Sequence, residues 1–193
     1  MKWIVALILL ALLLAGCAGQ ETTPTTTPSD PAISGSYAGL GTKMPEITVT
    51  TAAGQTVKLS ELLKEKELVL LNFWFEDCPW CIREFPVLEL AYQKYRENVE
   101  IVALNPVDSA QTVETFQKDH GLSFVMAASP RSWARECGVS AYPTSIFIDR
   151  NGVVCLVHEG AITASYAWEG LFAAFTGDDY RQKIYTDVSE ILG

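Results

Sequence analysis

Residues 68–75 read Leu68-Val69-Leu70-Leu71-Asn72-Phe73-Trp74-Phe75, an apolar run broken only by Asn72 and long enough for a strand buried on both faces. The spacing then changes. Cys81, Phe85, Leu88, Tyr92 and Tyr95 recur at helical intervals, predicting an amphipathic helix that opens at Cys78-Pro79-Trp80-Cys81 and is kinked at Pro86. Upstream, residues 47–51 and 56–59 are short β-rich runs around Ala53-Gly54-Gln55, the pattern of a hairpin, with a brief helix from Ser60. Downstream the pattern predicts strands at 99–104 and 123–126, helices at 110–120 and 130–136, and a hairpin of 144–148 and 153–158 around Asp149-Arg150-Asn151-Gly152. Helical residues follow from Ala164. Strands alternating with helices and ending in a hairpin define an α/β class with a layered sheet. No internal repeat is visible.

The amino-terminal pattern belongs to targeting. Lys2 precedes a nearly unbroken Ala, Ile, Leu and Val stretch over residues 4–14, which ends in Leu14-Ala15-Gly16-Cys17. This is the form of an export signal. A spanning helix needs about 20 apolar residues, and this run gives way sooner to polar ones. Leu-Ala-Gly-Cys resembles the lipobox of bacterial lipoproteins, which implies cleavage after residue 16 and lipid attachment at Cys17. Residues 20–36 are dominated by Thr, Pro and Ser, with too little apolar surface to offset their ordering entropy. The expected organisation is a signal peptide at 1–16, a lipidated tether at 17–40 and one folded domain at 41–193.

Composition supports a single core: 49% of the 193 residues are hydrophobic and 19% charged. The formal net charge is −9, and loss of Lys2 with the signal would make it −10. Nucleic acid is excluded as a partner, because neutralising phosphates needs clustered Lys and Arg. The acidity is consistent with an anchored domain kept soluble and off an anionic lipid surface.

Five cysteines stand at 17, 78, 81, 137 and 155. A Cys-x-x-Cys pair in the first turn of a helix has a physical reason to be reactive: unsatisfied N–H groups and the helix dipole favour a thiolate at the first sulfur. Cys78 is then expected to be the exposed attacking sulfur and Cys81 the buried resolving one, with exchange passing through a mixed disulfide on Cys78. Pro79, lacking an N–H, suits that first turn. A zinc site would need about four ligands, and the two histidines, His120 and His158, are not near a second Cys-x-x-Cys. No metal and no cofactor are expected. Cys137 and Cys155 fit either a structural disulfide or two isolated buried thiols. Trp74, Tyr92, Tyr95, Trp133 and Trp168 read as core, and the segment with Asp178, Asp179 and Asp187 as a solvated helix face.

The segment Asn72-Phe73-Trp74-Phe75-Glu76-Asp77-Cys78-Pro79-Trp80-Cys81-Ile82-Arg83-Glu84-Phe85-Pro86 resembles the active site of thioredoxin-like proteins of the TlpA/ResA type. The likeness runs over roughly residues 41–160 and takes in the amino-terminal hairpin, the strand entering the site and Tyr142-Pro143-Thr144 before the carboxy-terminal hairpin. It implies a thioredoxin-like fold: a central mixed sheet flanked by helices, with an added hairpin and an inserted strand and helix. It also implies a membrane-tethered, extracytoplasmic protein acting on protein thiols and disulfides. Many members reduce disulfides in apocytochromes or other exported proteins and are recharged by a membrane electron donor of the CcdA/DsbD kind.

Residue by residue, Pro143 matches a cis-proline facing the cysteines, with the Tyr142 backbone available to pair with a substrate strand. Glu84 matches a carboxylate that could take the proton of Cys81. Asn72 stands where classical thioredoxins have a buried aspartate, and an amide cannot take a proton at neutral pH. Trp80 lies in the dipeptide that tunes potential and could dock substrate. Two departures matter: Asp77 replaces the usual tryptophan before Cys78, and Glu76 precedes it. Negative charge there raises a thiol pKa and favours a reducing role. The alternatives are a thiol oxidase of the same fold, a copper-delivery protein, whose cysteines would be three residues apart, and a redox-inert adaptor.

Overall fold

The computed structural model describes residues 32–34, 39–177, 180 and 182–193. The signal, the Cys17 lipid site, most of the tether, Asp178 and Asp179 lie outside the described residues.

A five-stranded sheet forms the centre, in the order β6-β5-β4-β7-β8: β4 (Leu68–Phe73), β5 (Val99–Asn105), β6 (Val125–Ala128), β7 (Thr144–Asp149) and β8 (Val154–Glu159). β4 runs parallel to β5, and β5 to β6, while β7 and β8 are antiparallel to their neighbours. This is the layered α/β sheet that the alternating pattern predicted, and it is mixed, as the family resemblance implied. Leu68–Phe73, the first six residues of the apolar run at 68–75, is the central strand, and every residue of it is buried. Period-two geometry sends its side chains alternately to two layers. Leu68, Leu70 and Trp74 face α2 (Pro79–Tyr95), α3 (Ala110–Asp119) and α5 (Ser165–Phe175), where Phe85, Leu88, Phe116, Trp168 and Phe172 fill the core. Val69, Leu71 and Phe73 face the other layer. That layer contains β2 (Glu46–Thr50), β3 (Thr56–Lys58), α1 (Leu59–Glu65) and α4 (Arg131–Glu136).

The expected aromatics are core: Trp74, Tyr92, Trp133 and Trp168 are buried, and Tyr95, partly buried, packs against the layer that holds Trp74, Tyr92 and Trp168. The helix of the cysteines continues through Pro86 without interruption.

Three boundaries depart from expectation. Residues 32–34, assigned to the tether, form β1 (Ala32–Ser34), which pairs antiparallel with β2 and satisfies that strand's open backbone edge. β6 starts two residues later than the pattern suggested. The Ser123 N–H is taken by the Glu89 carboxylate and the Phe124 carbonyl by Gln117 Nε2, so the ladder begins only at Val125. β4 stops at Phe73 because the chain turns after Trp74, with the Cys78 N–H donating to the Phe75 carbonyl. At the other end, α6 (Ser189–Leu192) and the residues before it lie along the domain. Tyr185, Val188 and Ile191 pack on the core, and the Tyr185 N–H donates to the Cys155 carbonyl. The carboxy-terminal segment is therefore a strap with an apolar inner side, whereas its exposed Asp187 keeps the expected solvated character.

Candidate active site

The turn after β4 delivers Cys78 to the head of α2. Cys78 is the N-cap, Pro79 opens the first turn, and the Cys81 backbone N–H donates to Cys78 Sγ at 3.2 Å. One of the helix's unsatisfied N–H groups thus already points at the first sulfur, the contact that stabilises a thiolate once the pair is reduced. Here the two cysteines form a disulfide with Cα atoms 5.3 Å apart. The expected contrast in exposure is smaller than the sequence suggested: Cys78 is only 3% exposed and Cys81 is wholly buried. Bonded to its partner, the Cys78 sulfur sits within the same apolar cluster as Trp74 and Phe85 and presents only a small edge to solvent.

Glu84 is one turn beyond Cys81 and also wholly buried. Its Oε1 accepts a hydrogen bond from Asn72 Nδ2 at 2.8 Å, and its Oε2 accepts the Ile162 backbone N–H at 2.8 Å. Asn72 Nδ2 also donates to Ser145 Oγ, its register partner on β7. Burial pushes the carboxyl from 4.5 up to about 7, against the opposing pull of the Ile162 and Asn72 donors. A buried carboxyl balanced near neutrality can hold or release a proton at little cost, which is what a general acid–base needs.

The Tyr142–Pro143 peptide bond is cis. The loop is closed on either side of Tyr142: the Ala141 carbonyl accepts the Thr144 hydroxyl, and the Pro143 carbonyl accepts the Gly160 N–H. The Tyr142 ring meets the Phe75 ring edge-on at 5.4 Å, bringing this loop against the turn that precedes Cys78. Trp80 projects outward, 54% exposed, with the Arg83 guanidinium 4.8 Å above its ring. Glu76 and Asp77 are exposed, and the Glu76 N–H donates to Asp108 Oδ2 at 2.7 Å, pinning the turn to the end of β5. Asp108, Ser145 and the Ile162 amide have no local signature, since each reaches the site through a contact of long sequence separation or from a loop.

Cys137 and Cys155 are buried free thiols, held in different layers of the core. Among the described residues no group of three or more His, Cys, Asp or Glu side chains is placed to hold a metal ion. A groove of about 510 Å³ between β3 and α1, lined by Gln55, Lys58, Glu61, Leu62 and Glu65, lies away from the cysteines.

A dithiol in the first turn of a helix, on a mixed sheet and beside a cis-proline, is the arrangement of thioredoxin-like thiol–disulfide oxidoreductases. The chain belongs to the redoxin family, whose model matches residues 40–167. Within it the likeness is to ResA. The thiol-disulfide oxidoreductase ResA of Halalkalibacterium halodurans is 35% identical over 130 residues, covering 66% of this chain and 73% of that protein. The thioredoxin-like protein YneN of Bacillus subtilis is 27% identical over 165 residues, covering 84% and 92%. Among solved structures, a Chlorobium tepidum protein assigned as the thiol:disulfide interchange protein DsbE superposes with a TM-score of 0.57 at 33% identity, covering 64% of this chain and 86% of its own. The chain is thus a thiol–disulfide oxidoreductase of the ResA/DsbE type, with Cys78 and Cys81 as its redox pair.

Proposed function

We propose that this protein is an extracytoplasmic protein-disulfide reductase, held at the bacterial membrane by lipid on Cys17. The observation that carries the reading is the buried Glu84 carboxyl one turn beneath Cys81, with its proton affinity raised to neutrality. In the reduced protein the Cys78 thiolate attacks a substrate disulfide, forming a mixed disulfide and releasing one substrate thiolate. Glu84 then takes the Cys81 proton, and the Cys81 sulfur attacks Cys78 Sγ. The second substrate sulfur leaves, and the Cys78–Cys81 disulfide forms. Two electrons pass to the substrate, and the protein ends in the disulfide state seen here.

The direction is supported by Glu76 and Asp77, exposed beside Cys78, whose charge opposes the thiolate-stabilising helix terminus. Trp80 and the Tyr142–Pro143 loop flank the pair as the substrate-docking surface, the Tyr142 backbone offering an edge for strand addition. Exported proteins, apocytochrome c among them, are the substrate class, and a CcdA/DsbD-like membrane protein is the electron donor. Anchoring rests on the Leu14-Ala15-Gly16-Cys17 sequence; no helix among the described residues is long and apolar enough to cross a membrane.

Equilibration against defined thiol–disulfide buffers tests the direction. A potential near or below about −270 mV fits a reductase, whereas one near about −120 mV would make the protein a thiol oxidase.

A further inference from the structure

The face of β4 beneath the active-site helix holds two buried polar atoms that find no hydrogen-bond partner among the described residues: Asn72 Oδ1 and Trp74 Nε1. Both residues are 0% exposed, and being two apart on a strand they project from the same face. One is an acceptor and the other a donor. Leaving such atoms unmatched in a core is costly, and native structures seldom do so without a reason.

Their position over the chemistry is fixed by contacts at both ends. Asn72 Nδ2 donates to Glu84 Oε1 at 2.8 Å, and the Trp74 ring meets Phe85 edge-on at 5.2 Å. The strip from Asn72 to Trp74 therefore lies under the turn of α2 that carries Cys81, Glu84 and Phe85. Residues three apart on a helix share a face, with Cβ atoms about 5–6 Å apart, so Cys81 faces the strip beside Glu84. The Asn72 amide is also held in one orientation, because both of its N–H bonds are committed, one to Glu84 and one to Ser145 Oγ. Its carbonyl oxygen is the end left over.

The present state of the pair explains why that end is free. In the disulfide, Cys81 has no S–H to donate. Reduction adds two electrons and two protons and creates a buried thiol, which can donate one hydrogen bond and accept another.

We propose that Asn72 is the hydrogen-bond partner of the resolving cysteine in the reduced protein: its Oδ1 receives the Cys81 S–H once the disulfide opens, while its Nδ2 keeps Glu84 in place. This deepens the proposed function and rests on Cys81 being the resolving sulfur. The contact exists in one redox state only, so it favours the reduced form and holds the Cys81 proton until Glu84 takes it. Trp74 Nε1–H, the free donor on the same face, suits the sulfur as acceptor.

The test compares both redox states of the intact chain. In the wild type, the Asn72 side-chain carbonyl carbon, followed by NMR, shifts on reduction, and the Cys81 S–H stretching band in the infrared lies at the lowered frequency of a hydrogen-bonded thiol. In Asn72→Leu the band returns to the free-thiol position. The equilibrium constant for reduction by glutathione, measured at pH 5 where Glu84 is protonated, falls about three- to tenfold, as expected for one lost hydrogen bond. An Asn72 resonance indifferent to reduction would overturn the proposal and needs no variant. So would a Cys81 band unchanged in Asn72→Leu. Glu84→Gln is the separate arm: it removes the pH dependence of mixed-disulfide resolution if Glu84 is the base, and the Asn72–Cys81 signature is read in the wild type and in Asn72→Leu alone. Failure of the acid–base reading therefore shows in one variant and failure of the Asn72 contact in the other.

Discussion

Glu84→Gln makes the cost of the active-site carboxyl measurable as stability. Glu84 is wholly buried, and its burial raises the carboxyl from 4.5 to about 7 in the folded protein. Below pH 4.5 the group is protonated in both folded and unfolded chains and nothing is lost. As pH rises toward 7 the unfolded chain releases the proton first, while the folded protein retains it, so the unfolded state becomes the relatively favoured one. The stability present at low pH is lost through this window and levels off above the folded pKa. At about 1.4 kcal/mol for each tenfold change in proton affinity, the loss is about 3 kcal/mol. Glutamine keeps the shape without the ionisation, and its side-chain oxygen can still accept the Ile162 N–H. Urea unfolding of the oxidised wild type and Glu84→Gln, compared at intervals from pH 4.5 to 8, is the assay. The difference between the two should grow in the variant's favour by about 3 kcal/mol across that range, a change set by the same shift. Parallel profiles would refute the assignment of a raised proton affinity to Glu84.

Other outcomes follow from the same geometry. Cys81→Ser should trap substrate as a mixed disulfide on Cys78, visible by mass spectrometry, whereas Cys78→Ser should form none; trapping in the second variant would reverse the roles. Trp80→Ala, at a half-exposed position with its ring on Arg83, should change stability by no more than about 0.5 kcal/mol while raising the KM for a protein disulfide several-fold. Asp149 accepts the Asn151 and Val153 N–H groups and the Tyr180 hydroxyl from a fully buried position, so Asp149→Ala should cost about 3 kcal/mol in urea unfolding through the donors left unmatched. Burial pushes Cys137 up to about 12 and raises Cys155 as well. Neither should react with maleimide in the folded protein at neutral pH, and both should label in denaturant; native labelling at the rate of reduced Cys78 would contradict their burial.

What the chain discloses in one dimension is what depends on near neighbours. Alternation and helical spacing located the central strand, both hairpins and the helix of the cysteines, because each is set by residues within a few positions of one another. The reactive pair was legible for the same reason: Cys78, Pro79 and Cys81 make their helix-terminal contacts with each other. Boundaries were misread where a distant side chain competes for backbone, as Glu89 and Gln117 do at the start of β6. The carboxy-terminal strap was invisible because its inner face is defined by packing on residues far back in the sequence. Glu84 stands between these cases. Its spacing from Cys81 and its match to the ResA pattern made it a candidate, but a glutamate on a helix is ordinarily solvated. Its proton affinity is raised by the apolar layer that buries it and held in check by two donors from distant segments, Asn72 on β4 and the Ile162 amide in the loop before α5. Asn72, which interrupts an otherwise apolar strand, was the one local sign that a polar group lies opposite it in the core. A lone amide in a fully buried strand requires partners, and those partners turn out to be the site itself.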